Sequence, residues 1–234
     1  MCNMKYDVIR SYWPAPIYDT VVQSGLILHL DPATYSGSGS WVDGSASGWN
    51  ATLTNGPTFT SGATPYFTLD GTNDRLEIPI VGTFSAMTMQ ILVYRIGTFG
   101  SYTGIMCHRG TNPFAHSISN GPTANRLGYT WNNNRWDYEG GATMAIPSGA
   151  WTMLSVRVGA TKAELNINGS TKVTQTIAAT AATWGGSSVK TMIGVDTNTL
   201  TYLNLRVGPV MAYNRYLTDD EIASNYAKYS GVYQ

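Results

Sequence analysis

The chain has 234 residues, 14 Lys+Arg against 14 Asp+Glu, and 12% charged residues beside 43% hydrophobic ones. That charge content is about half the ~25% usual for a soluble domain; it excludes a coiled coil and a charged disordered chain. It also leaves no Lys/Arg cluster for a nucleic-acid groove, and no apolar run approaches the ~18 residues of a membrane span.

Residues 1–24 show no sustained period of 2 or 3.6. Trp13-Pro14-Ala15-Pro16 favours extended backbone, because each proline fixes its own φ and biases the residue before it. This segment reads as an arm, with Tyr12, Trp13, Pro14 and Pro16 as its anchor candidates. It either packs along its own domain or docks on a partner. Met1 to Arg10 lacks an apolar stretch, so no signal peptide is expected.

From Gly25 onward strand signals recur. Residues 26–30 (LILHL) form a buried-strand pattern. Residues 66–69 run into a turn at 70–74, and 75–79 alternate polar and apolar. Further strands are expected at 87–94, 152–158, 163–167 and 203–210. Asn168-Gly169 is a strong hairpin signal. Ser36 to Ser40 (SGSGS) reads as a flexible loop. One helix is expected near the end: Thr218 caps it, Asp219, Asp220 and Glu221 fill its first turn, and Glu221 completes a capping box. Short strands with Gly-, Asn- and Pro-rich turns describe one antiparallel sandwich over 25–234. Cys2 and Cys107 either form a single bridge or remain two thiols; the latter suits folding in a reducing cytoplasm.

Residues 25–59, YFTLDGTNDRLEIP (66–79), LGYTWNNNRWDY (127–138), WTMLSVRV, LNING and GPVMAYNRYLTDDEI (208–222) together resemble laminin-G-like, concanavalin A-like jelly-roll domains, in the right order. Such domains occur in phage and bacterial surface proteins. The resemblance implies an all-β antiparallel sandwich with one short C-terminal helix. It says little about function, since one sandwich serves lectins, hydrolases and structural modules.

Hydrolases on this sandwich carry paired carboxylates, as cleavage of a glycosidic bond requires. Glu77 and Glu164 are the only acids on their strands, and Glu221 is explained by the capping box. Asp137 and Glu139 share a strand face but read as a solvated strand end. His29 lies in an apolar strand and is expected as a hydrogen-bonded core residue, while His108 and His116 flank a loop. The resemblance also implies a calcium ion. Asp70, Asn73 and Asp74 are its candidate ligands, or else turn-formers bonded to local backbone.

Aromatic rings that stack on sugars give the carbohydrate candidates. They are Trp131, Asn133, Trp136 and Tyr138 in the stretch 129–138, with Trp41 and Trp49 in Gly/Ser-rich loops. Cross-strand stacking is the alternative for the first group. The loop tryptophans, Trp184 included, either form an exposed cluster or plug the sandwich end.

The expectation is a non-enzymatic virion surface protein, made in the host cytoplasm, with a lectin-like glycan-binding sandwich. Its arm would attach to a capsid or tail protein, and a homo-oligomer is expected. No nucleic acid partner and no membrane span are expected. The alternatives are a structural cement protein without ligand and a carbohydrate-active hydrolase.

Overall fold

Apolar residues at every second position, with glycine and asparagine at the bends, produce short strands that need a second sheet to bury their inner faces. The structure, a computed structural model, describes residues 20–109, 115–132, 141–185, 189–196 and 200–234. The first nine strands are β1 (Leu26–Leu30), β2 (Thr52–Thr54), β3 (Thr58–Thr60), β4 (Tyr66–Asp70), β5 (Arg75–Ile78), β6 (Gly82–Phe84), β7 (Met87–Arg95), β8 (Gly104–Arg109) and β9 (Ala115–Asn120). The rest are β10 (Leu127–Thr130), β11 (Trp151–Val158), β12 (Lys162–Ile167), β13 (Thr171–Thr176), β14 (Ala182–Trp184), β15 (Thr191–Ile193), β16 (Val195–Asp196), β17 (Thr201–Tyr202) and β18 (Asn204–Tyr213). One helix, α1 (Asp219–Ser230), closes the chain.

The larger sheet has the order β13-β12-β11-β7-β18-β4-β3. β18 is long enough to serve two neighbours on one side: Asn204 to Val207 pair with β4, and Val210 to Tyr213 pair with β1. Between them the register against β7 shifts at Gly208-Pro209. Proline cannot donate to a ladder, and a bulge is where a central strand tolerates it. The smaller sheet has the order β10-β9-β8-β15-β5-β2.

The two sheets enclose the main core. Leu28, Leu30, Phe67, Leu69, Leu76, Ile78, Met89, Ile91, Val93, Leu154, Val156, Leu205 and Val207 all pack there. A second apolar cluster lies on the other side of the larger sheet. There Leu92, Met153, Met211 and Tyr213 meet Leu217, Ile222 and Tyr229, so α1 covers part of the outer face. Val21 belongs to this cluster, and the Val22 amide donates to Asn225 Oδ1 at 2.8 Å. The end of the segment read as an arm is thus tied to the sandwich. Its anchor candidates Tyr12, Trp13, Pro14 and Pro16, and Cys2, lie outside the described residues. Cys107 is buried on β8.

The expected strands and the capping box are present. Glu221 N donates to Thr218 Oγ1 at 3.3 Å, and Thr218 N donates to Glu221 Oε2 at 2.8 Å. Asn168 and Gly169 both take positive φ (51° and 76°) in the turn from β12 to β13. His108 departs from expectation: it is a buried residue of β8, not a loop residue.

Candidate functional site

The outer face of the larger sheet continues beyond α1, and there it carries large aromatic side chains. Register places Trp151 of β11 opposite Tyr94 of β7, and Tyr94 opposite Arg206 of β18. Arg206 stands opposite Thr68 of β4, and Thr68 opposite Thr58 of β3. This row crosses five strands and, at ~4.8 Å per strand, is roughly 19 Å long. Trp151, Tyr94, Arg206 and Thr68 are half-buried, and Thr58 is exposed.

Packing fixes the row. Tyr66, two residues before Thr68 on the same face, leans across β18 until its ring is 5.7 Å from that of Trp151. Tyr94 meets Trp151 edge-on at 5.6 Å, and Tyr233 meets it edge-on at 4.8 Å. The bulge makes room, because a Cβ on Gly208 would stand 3.3 Å from the Tyr233 ring and 3.2 Å from Leu92. Tyr233 is itself pinned, its hydroxyl donating to the Pro65 carbonyl at 2.6 Å. The Arg206 guanidinium carbon lies 4.8 Å from the centroid of each of the Tyr66 and Tyr94 rings. Such cation–π contacts hold a cation without neutralising it.

The sequence candidates fare differently. Trp41 and Trp131 are fully buried in the main core, which corrects the expectation of exposed stacking rings. Trp41 donates its indole N–H to the Asp31 carbonyl at 3.0 Å, and Trp131 to the Thr180 carbonyl at 2.9 Å. Period-2 alternation does put Tyr129 and Trp131 on one face, but that face is the inner one. Trp49 is half-buried and packs against the main core. Trp184 is buried too, stacked on His108 at 5.0 Å. Of the two readings of the loop tryptophans, Trp41 and Trp184 follow the plug. Asn133, Trp136, Tyr138, Asp137 and Glu139 lie outside the described residues.

At the Asp70 turn, Asp70 Oδ1 accepts the Thr72 and Asn73 amides at 2.7 and 3.4 Å. Asp74 Oδ2 accepts the Asp70 amide at 3.2 Å, and the Asn73 carbonyl accepts Asn55 Nδ2 at 3.0 Å. Burial raises the Asp74 carboxyl above its usual range. One oxygen of each carboxylate thus serves the turn's own backbone, the turn-forming role expected as the alternative to calcium. Among the described residues no group of three or more His, Cys, Asp or Glu gathers for a metal.

Two histidines are held neutral by burial. His108 is pushed down to about 4; its Nε2 accepts the Gly185 amide at 3.0 Å. His29 is lowered as well, with its Nε2 2.8 Å from the Tyr229 hydroxyl. Other acids have structural partners. Glu164 pairs with Arg157, both buried, and Glu77 pairs with Arg75 and Lys190 at 2.8 Å each. Asp43 accepts the His29, Ser45 and Trp49 amides and so shapes the loop after β1.

Solved structures share this architecture. Domain 4 of AbnA, a GH43 extracellular arabinanase from Geobacillus stearothermophilus solved in complex with arabinotriose, aligns over 88% of this chain and 100% of its own, with TM-score 0.67 and 17% identity. The botulinum neurotoxin serotype G binding domain aligns over 86% of this chain and 50% of its own, with TM-score 0.62 and 17% identity. Trypanosoma rangeli sialidase in complex with sialic acid aligns over 90% of this chain and 34% of its own, with TM-score 0.58 and 12% identity. The chain therefore spans about half of the toxin domain and about a third of the sialidase. Identities this low establish a shared fold, and the group holds both hydrolases and binding domains. No curated protein matches the chain in sequence. The family description of the concanavalin A-like lectin/glucanases superfamily matches residues 61–223, most of the sandwich, and the chain belongs to that family.

Proposed function

We propose that this chain is a non-enzymatic carbohydrate-binding module, displayed on a phage-like virion, that reads a glycan with the open outer face of its larger sheet. The row Trp151–Tyr94–Arg206–Thr68–Thr58 carries this reading. Rings supply apolar faces, and threonine hydroxyls supply hydrogen bonds to sugar hydroxyls. The face sits on a rigid sheet, which lowers the entropic cost of binding. The solved relatives in complex with arabinotriose and sialic acid support carbohydrate as the ligand class. The acids described above are engaged in ion pairs, caps and turns, which favours binding over hydrolysis.

Placement on a virion rests on the resemblance of the sandwich to laminin-G-like domains of phage and bacterial surface proteins. The arm, with its Trp-Pro-Ala-Pro segment, would hold the sandwich to a capsid or tail protein. A glycan array probed with the full-length chain tests the ligand class. Retention of defined glycans supports the reading, and an empty array contradicts it. Immunogold labelling of purified particles tests the placement: label on the particle exterior supports it, and unlabelled particles contradict it.

A further inference from the structure

Among the described residues, the candidate face contains one cation with no acid paired to it. Among the described residues Arg206 has no carboxylate partner and no hydrogen-bond acceptor. This is unusual within the molecule. Arg75, Arg157 and Arg215 all pair with acids, and Arg95 donates to the Ile146 and Gly97 carbonyls. The acid of β4, Asp70, is engaged by the amides of its own turn.

We infer, building on the glycan reading, that this face selects an acidic saccharide, with Arg206 as the specificity residue for its carboxylate. The Tyr66 and Tyr94 rings lie against the guanidinium and restrict its rotamers. A guanidinium packed on ring faces keeps its in-plane N–H groups directed away from them, in the fork that matches a carboxylate. Flanking Tyr94 and Trp151 give the sugar ring an apolar wall, and Thr68 and Thr58 give its hydroxyls partners. A neutral sugar would leave the guanidinium partly desolvated and unpaired, and that penalty creates the discrimination. Sialylated and uronic acid glycans share this chemistry.

Calorimetric titration of the full-length chain tests the inference. The probes are a sialylated oligosaccharide, an oligogalacturonate, and the neutral counterpart of each. At least one acidic probe is expected to bind about tenfold or more tightly than its neutral partner, the range of a hydrogen bond to a charged group. Whichever acidic probe binds identifies the source. Arg206→Gln should erase the preference, bringing the acidic probe to the affinity of its neutral partner, with the melting temperature near that of the parent. Arg206→Lys should retain only part of it, because charge remains and the fork is lost. Equal binding of acidic and neutral probes, or a preference that survives Arg206→Gln, overturns the acidic class and leaves the glycan reading standing. Failure of all four probes overturns both.

Discussion

The larger sheet presents one outer face with two fates. Under α1, β7 offers Leu92, β11 offers Met153 and β18 offers Met211 and Tyr213, all buried. Two residues further along the same strands, β7 offers Tyr94 and β11 offers Trp151, and β18 carries Arg206 across its bulge, all half-exposed. The covered half also needs its polar groups satisfied. Asn225 donates to Gln90 and Tyr213, Gln90 donates to Ser155, and Arg157 ties Glu164 to Asp219 and the Leu217 carbonyl. Among the described residues the open half shows no such network around Tyr94, Trp151 and Arg206. On β12 and β13 the same face carries Lys162, Lys172 and Thr174, which reach Glu164 or Asp219 and so extend the polar network of the covered half. The covered half is built for stability, and the open half keeps large aromatic side chains half-exposed, with Trp151 also packed against the α1 cluster.

Substitutions can break this comparison. The largest expected effect is in the covered half: Arg157→Ala leaves Glu164 buried without its closest cation and should cost about 3–5 kcal/mol in urea unfolding. Leu92→Ala should cost about 2–5 kcal/mol, as for other buried leucines. Tyr94→Ala, two residues away, should cost about 1 kcal/mol, since its ring is only half-buried. Equal costs at positions 92 and 94 would remove the distinction between the halves.

Smaller effects concern the cap that holds α1 in place. Thr218→Ala should cost about 1 kcal/mol by thermal unfolding. Glu221 is held down to about 2, chiefly by its paired hydrogen bonds from Arg215. A carboxyl lowered in the folded state contributes stability above its unfolded value near 4.5, and this is lost as pH falls towards 2. Unfolding followed across that window should show a loss that Glu221→Gln reduces. An unchanged acid limb in the variant would assign the loss to other carboxylates.

Much of the fold was legible in the chain because its signals are local. Apolar runs, turn signals and partial alternation placed β1, β4, β5, β7, β11, β12 and β18, and the spacing from Thr218 to Glu221 placed the helix start. β8 was missed: Gly104 to His108 is buried on both faces and does not alternate, so His108 read as a loop residue. The binding candidates were harder for a different reason. Alternation tells which residues share a face, as with Tyr129 and Trp131, but not which face is inner. The outer row is also non-local, joining Thr58 and Thr68 to Tyr94, Trp151 and Arg206 through registers that no single segment encodes. The strand expected at 152–158 began one residue after Trp151, and nothing in that stretch marks Trp151 as part of a site.

The most direct test of the account is the affinity of the full-length chain for its best array glycan before and after Trp151→Ala, with urea unfolding run on both proteins. Trp151 is the ring that Tyr66, Tyr94 and Tyr233 all contact, so it acts as the centre of the open half. Affinity should fall by tenfold or more, the scale of a central aromatic contact, while the chain stays folded. A folded Trp151→Ala chain that binds as tightly as the parent would place the glycan elsewhere and contradict the assignment of this face.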